Sequence, residues 1–192
     1  MALHSINGLG PIRLKAILDY FKDPKLAWES NPATLIEIGI PKPTIELLQE
    51  TRKKIDPPNY TQRIEDAGIK WKTFFDNDYP LLLGQIYDPP LVFYYKGEIK
   101  NWDDSSIAIV GTRKMTGYGK AVTERFTKVL ATSGLTIVSG LARGVDASAH
   151  STAVAENGQT IAVLGGGLNR IYPPENRQLA QAIINGQWSY RV

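Results

Sequence analysis

Ile107-Ala108-Ile109-Val110-Gly111-Thr112-Arg113-Lys114 is the stretch on which the fold turns. Four apolar residues run unbroken into a glycine, a threonine and two cations. An alternating pattern would suit a strand with one wet face. An unbroken run suits a strand buried on both faces of a parallel sheet. The period then changes: Ala121, Val122, Phe126, Val129 and Leu130 recur at helical spacing and mark one face of a helix. Leu135 to Val138 reads as a second strand, ending at Ser139-Gly140. A helix follows from about Ala147 to Glu156, closed by Asn157-Gly158. Thr160 to Leu164 is a third strand, ending in Gly165-Gly166-Gly167, and Pro174 opens a last helix through Leu179, Ala182 and Ile183. Strands alternating with helices in this way predict right-handed crossovers and a Rossmann-like, doubly wound, mainly parallel α/β fold.

Upstream, Leu91 to Tyr95 reads as a strand stopped by Gly97. Tyr79 to Pro90 reads as irregular, Ile69 to Phe75 as a short strand and Thr61 to Gly68 as a helix. Nearer the start, Pro11 opens a helix marked by Leu14, Ile17, Leu18 and Phe21. Asn31-Pro32 opens a short one ending near Gly39, and Pro43 opens another with Ile45, Leu47 and Leu48. Lys53 to Tyr60 is polar, holds Pro57-Pro58 and reads as a linker. The expected organisation is a small all-α domain over 1–56 and the Rossmann-like domain over 61–192. Asn7-Gly8-Leu9-Gly10-Pro11 is a Gly-x-Gly turn before a helix. It looks like a helix-hairpin-helix, whose turn amides hold DNA phosphates without sequence preference; a plain interhelical turn is the other reading. Ile38-Gly39-Ile40-Pro41 is a weaker echo.

Composition excludes more than it selects. The 192 residues are 43% hydrophobic, enough for a core, and carry a net charge of +3, a mild lean toward polyanions. Cysteine is absent, which removes disulfides, thiolate nucleophiles and Cys-based zinc sites. No basic start followed by an apolar run marks a signal peptide. No stretch is apolar enough to span a membrane, and a cytoplasmic location is expected.

In an open parallel sheet, ligands bind beyond the carboxyl ends of the strands. Here those ends read Gly111-Thr112-Arg113-Lys114, then Gly140-Leu141-Ala142-Arg143-Gly144, then Gly165-Gly166-Gly167-Leu168-Asn169-Arg170. Glycine lets backbone approach a ligand, helix N-termini present amides to anions, and arginine matches phosphate oxygens with a planar fork. The expected phosphate-binding residues are Gly111, Thr112, Arg113, Lys114, Gly140, Arg143, Gly144, Gly165, Gly166 and Arg170. Neither G-x-G-x-x-G nor a P-loop pattern is present, so an extended polyanion fits better than a bound nucleotide cofactor. No cofactor, metal or catalytic residue is expected. His150 falls one helical turn after Asp146, but no nucleophile or metal cluster accompanies them, and a helix-orienting role is the preferred reading. Ser139 lacks a nucleophile-elbow context, and His4 has no evident partner. Tyr118 and Tyr172 lie near the three loops and could stack on bases.

Taken together, these pieces resemble the DNA-processing protein A (DprA/Smf) family. The resemblance is carried by Ile109-Val110-Gly111-Thr112-Arg113, by 138–146 with Ala149-His150, by 160–168, and by Ile171-Tyr172-Pro173-Pro174-Glu175-Asn176. Upstream, Asp78-Tyr79-Pro80 and Asp88-Pro89-Pro90 through Tyr95-Lys96-Gly97 look like the family's lead-in. The resemblance implies a sterile-alpha-motif-like helical domain before an extended Rossmann domain. It also implies single-stranded DNA binding, dimerisation, and RecA loading in natural transformation and recombination, without enzymatic activity. It places Arg113 on the phosphates, with Gly111, Thr112, Arg143 and Arg170 as neighbours. Family members continue with further strands, whereas this chain ends at Gln187-Trp188-Ser189-Tyr190-Arg191-Val192. The expectation is therefore a C-terminally truncated member with an incomplete sheet and an unpaired apolar edge. Two other readings stay open. One is a nucleotide-processing enzyme similar to the phosphoribohydrolases, although Gly165-Gly166-Gly167 lacks that group's proline, threonine and glutamate. The other is a degenerate fragment without independent function.

Overall fold

Proline sets where the helices of the first half begin. Helices α1 (Pro11–Phe21), α2 (Pro24–Glu29), α3 (Pro32–Glu37), α4 (Lys42–Lys54) and α5 (Pro57–Asp66) each carry proline in the first two helical positions, where a missing N–H costs nothing. Asp23, Asn31 and Asp56 cap α2, α3 and α5 by accepting the amides of Lys25, Ala33 and Asn59. The supposed linker is thus corrected: α4 runs through Lys54, and Pro57-Pro58 opens α5. A proline pair after aspartate is a helix start as readily as a turn. Helix α2 was not foreseen, although Asp23-Pro24 is the same kind of signal as Asn31-Pro32.

The computed structural model describes residues 1–98, 105–186 and 190–191. The chain separates into two compact units, Met1–Phe93 and Tyr94–Val192. By their contacts, residues 57–93 group with the helices before them. The core of the first unit gathers Leu3, Ile6, Leu9, Leu14, Ile17, Leu35 and Leu48. Arg52 on α4 crosses to the end of α2, donating to the carbonyls of Ser30 at 2.8 Å and Ala27 at 3.3 Å. In place of a first hairpin helix there is one 3-10 turn, Ala2–Ser5. In the hairpin turn, Leu9 N–H is used by the Ile6 carbonyl and the Gly8 carbonyl accepts from Arg13. This unit also holds β1 (Lys70–Thr73), the short helix α6 (Leu81–Gly84) and the start of β2 (Val92–Lys96), beside which β1 lies.

The second unit is the predicted α/β fold. Strands β3 (Ser106–Ala108), β4 (Thr136–Ser139) and β5 (Thr160–Val163) are parallel, with Ile107 opposite Ile137 and Ile137 opposite Thr160. Helices α7 (Gly117–Thr132) and α8 (Val145–Ala155) make the crossovers. Helix α9 (Arg177–Asn185) follows β5, and α8 touches both α7 and α9. A two-residue strand β6 (Tyr190–Arg191) then enters the sheet, parallel to β5 and antiparallel to β2, giving the order β2-β6-β5-β4-β3. The β5 side of the sheet is therefore occupied. Gln187, Trp188, Ser189 and Val192 lie outside the described residues.

One expectation needs correction. Strand β3 is not buried on both faces: it closes the strand order, all its residues are exposed, and Ile107 and Val110 are 36% and 70% exposed. The apolar stripe of α7 also points outward, with Phe126 and Val129 at 62% and 58%, while Thr123, Thr127 and Ala131 are the buried residues. Helices α7 and α8 pack closely through these small side chains, and Gly158 follows the same logic: a Cβ there would stand 2.7 Å from that of Ala131.

Candidate nucleic-acid interface

The loops after β3 and β4 are seated on each other. Gly144 has φ +80°, and a Cβ on it would lie 2.2 Å from the Thr112 carbonyl oxygen, so only glycine fits. The next amide, Val145 N–H, donates to that oxygen at 3.2 Å. Gly111 meets the same helix start: its Cβ would stand 2.8 Å from Val145 Cγ2. Beneath them, Ser139 Oγ donates to the Ile109 carbonyl at 2.6 Å, joining the ends of β3 and β4.

The β4 loop is held from two further sides. The buried carboxylate of Asp146 accepts the Gly140 N–H at 3.1 Å. Buried Asn176 donates to the Leu141 carbonyl at 2.8 Å. Leu141 itself sits at φ +56°, a conformation costing a side-chain-bearing residue about 1 kcal/mol. The clamp offsets that cost and holds the loop that carries Arg143.

The result is a cavity of about 310 Å³ at the strand ends, lined by Arg113, Gly140, Arg143, Gly165 and Gly166 from the three loops, with Tyr172 on its wall. Five of the ten sequence-predicted residues thus meet. Gly111, Thr112 and Gly144 form the layer behind, as backbone that lets the loops approach. Exposed Lys114 turns on the Thr112 hydroxyl, which accepts its amide at 3.1 Å, and does not line the cavity. Arg170 lines a different cavity. Of the two tyrosines singled out, Tyr172 lines the site and is 70% exposed; Tyr118 is exposed elsewhere.

The two cations differ. Among the described residues Arg113 has no ion-pair partner, whereas Arg143 is paired with Glu175. That hydrogen bond and charge hold the Glu175 carboxyl below the usual range and raise the guanidinium. Glu175, Asp146 and Asn176 were absent from the expected site. Their partners lie 32, 6 and 35 residues away, and only Asp146 is near enough in sequence to have been weighed as a loop-binding side chain. The start of α8 is not a free anion site: besides Val145, the Ala147 amide is used by the Ala142 carbonyl at 3.0 Å.

His150 and Asp146 do not work as a pair. His150 is fully buried, with Nδ1 at 2.7 Å from Thr160 Oγ1. The Thr160 hydroxyl donates its only proton to the Ile137 carbonyl at 2.8 Å, so Nδ1–H is the donor to Thr160. Nε2 is left buried without a partner. Burial pushes the imidazole down to about 4, against the opposing pull of Asp146 and the Ser139 carbonyl. The residue is a neutral strut between α8 and β5. Among the described residues no group of His, Asp and Glu could hold a metal, and no helix is long and apolar enough to cross a membrane.

The geometry finds its counterpart in known proteins. Residues 70–188 match the family model of DNA recombination-mediator protein A. The chain is 39% identical over 188 residues to the Smf protein of Synechocystis, covering 95% of this chain and 47% of that one. It is 41% identical over 124 residues to DNA processing protein DprA of Bacillus subtilis, covering 64% and 42%. It therefore spans less than half the length of these relatives. The crystal structure of DNA processing protein A from Streptococcus pneumoniae superimposes with a TM-score of 0.76 at 28% identity, over 99% of this chain and 64% of that one. The Helicobacter pylori protein, whose structure describes a single-stranded DNA binding mode, gives a TM-score of 0.54 at 33% identity, over 65% and 56%. From its match over most of the second half and its likeness to these proteins, the chain belongs to the DNA recombination-mediator protein A (DprA/Smf) family.

Proposed function

We propose that this chain binds single-stranded DNA by its phosphate backbone at the ends of β3, β4 and β5, as a non-enzymatic DNA-processing protein of recombination and natural transformation. The observation that carries the reading is the convergence of three glycine-rich loops on one cavity bearing Arg113 and Arg143. Arginine forks suit phosphate oxygens, and an exposed tyrosine on the wall offers a face for a base. Among the described residues lining the cavity none pairs a nucleophile with a base, and the nearby His150 is fully buried, which favours binding over catalysis. Support for RecA loading, a homodimeric assembly and a cytoplasmic site of action belong to the same reading. The first would show as faster RecA filament growth on protein-coated strands, the second as a doubled mass in sedimentation.

The direct test is fluorescence anisotropy of labelled oligo-dT at low and moderate salt, beside Arg113→Ala. Binding that falls with salt and weakens in the variant for all sequences alike supports the proposal. A salt-insensitive interaction, or one indifferent to Arg113, refutes it. Release of free base from nucleoside monophosphates would instead favour a phosphoribohydrolase-like enzyme.

A further inference from the structure

Arg170 stands apart from the cavity that holds Arg113. It lines another, of about 290 Å³, with Lys96 from the end of β2, Arg177 from the first turn of α9, and the amides of Asn169 and Gln181. Leu168 and Ile171 give this cavity an apolar wall. Among the described residues its lining holds no carboxylate, and none of its three cations has an ion-pair partner. This differs from the first cavity, where Glu175 neutralises Arg143. Three like charges around one concavity repel one another, and an anion placed among them relieves that repulsion. The two cavities also share one loop. Gly165, Gly166 and Tyr172 face the first, while Leu168 to Ile171 face the second. The 164–173 segment thus contributes residues to both.

We propose that the Lys96–Arg170–Arg177 cavity is a second phosphate-binding site, which takes a backbone phosphodiester of the strand held in the first. The loop 164–173 then separates two contact points on one single-stranded polynucleotide. This rests on the DNA-binding reading of the first cavity. It extends that reading to residues outside it.

The test uses the full chain carrying Arg170→Ala with Arg177→Ala. Both side chains are exposed, so the fold should survive, and a circular-dichroism melt checks this; Arg170→Gln alone serves if the double variant does not fold. Oligo-dT affinity is expected to fall about tenfold at low salt in the double variant. The slope of log affinity against log salt should become shallower by about 0.7, the share of the one phosphodiester the cavity holds. Arg113→Ala should add its own loss on top, as for independent sites. Unchanged affinity and slope overturn the proposal. Titration with tripolyphosphate separates the sources of phosphate. Loss of tripolyphosphate binding in the double variant, with DNA binding intact, overturns the strand track in favour of a free-phosphate site. If the unmodified chain binds no oligonucleotide at all, the DNA reading itself fails. Tripolyphosphate binding that needs Arg170 and Arg177 then still supports a phosphate site, and its absence overturns that too.

Discussion

Acid should weaken this fold through one residue. In the unfolded chain His150 titrates near its ordinary 6.5, whereas in the folded chain burial pushes it down to about 4. Between those values the unfolded state binds a proton that the folded state refuses. Stability is therefore complete above about 6.5 and is lost as the pH falls toward 4. Displacing the titration from 6.5 to about 4 corresponds to on the order of 3 kcal/mol, a large share of a typical domain's 5–15 kcal/mol. The geometry explains why the cost cannot be escaped. Nδ1 already donates to Thr160, and a proton on Nε2 would create a charge in a place where that atom has no partner. The assay is urea denaturation at a series of pH values for the native chain and for His150→Gln, whose side chain does not titrate. The difference between the two stability curves should shrink as the pH falls from 6.5 toward 4. Nuclear magnetic resonance offers a second readout, because the chain has only two histidines. The His150 ring signals should stay unshifted down to about pH 5. An imidazole titrating near 6.5, or parallel stability curves, would refute the reasoning.

Other perturbations address the site and the surface. Gly144→Ala should lower stability by about 2 kcal/mol or more and weaken oligo-dT binding, because its Cβ would drive the Thr112 carbonyl away; Gly165→Ala, with open space around it, should cost under about 1 kcal/mol in the same urea melt. Glu175→Gln frees Arg143, and should tighten DNA binding while steepening its salt slope by about 0.7; weaker binding would mean that Glu175 serves to aim the guanidinium. Phe126→Lys with Val129→Lys should raise solubility and leave the melting temperature nearly unchanged, since both side chains stand on an uncovered face; a large drop in melting temperature would show that the face is packed in solution.

The parts of this molecule that could be read in advance are those written locally. A strand followed by glycine and arginine marks a loop at a strand end, and Arg113, Gly140, Arg143, Gly165 and Gly166 came together as that logic requires. Arg170 did not, because position along a loop does not say which side a side chain leaves from. The run 107–110 announces a strand, but not which neighbours flank it, so the exposure of β3 was invisible. On α7 the apolar stripe marks the helical period but not the buried face: threonines at 123 and 127 look polar in sequence yet fit the close approach of α8. The clamp on Leu141 was beyond sequence pattern altogether, since Asn176 is 35 residues distant.

That clamp has a consequence for timing. The first cavity depends on a contact made across 35 residues, Leu141 with Asn176, and such a closure forms late because chain entropy must be overcome before it is rewarded. A nascent or partly unfolded chain would carry all the arginines and none of the architecture that aims them. Occupancy and folding are then one coupled equilibrium: whatever binds only the finished cavity raises the stability of the whole unit by mass action. If a DNA strand binds there as proposed, it completes the second unit from outside its core, and a shortage of it registers as a lower melting temperature.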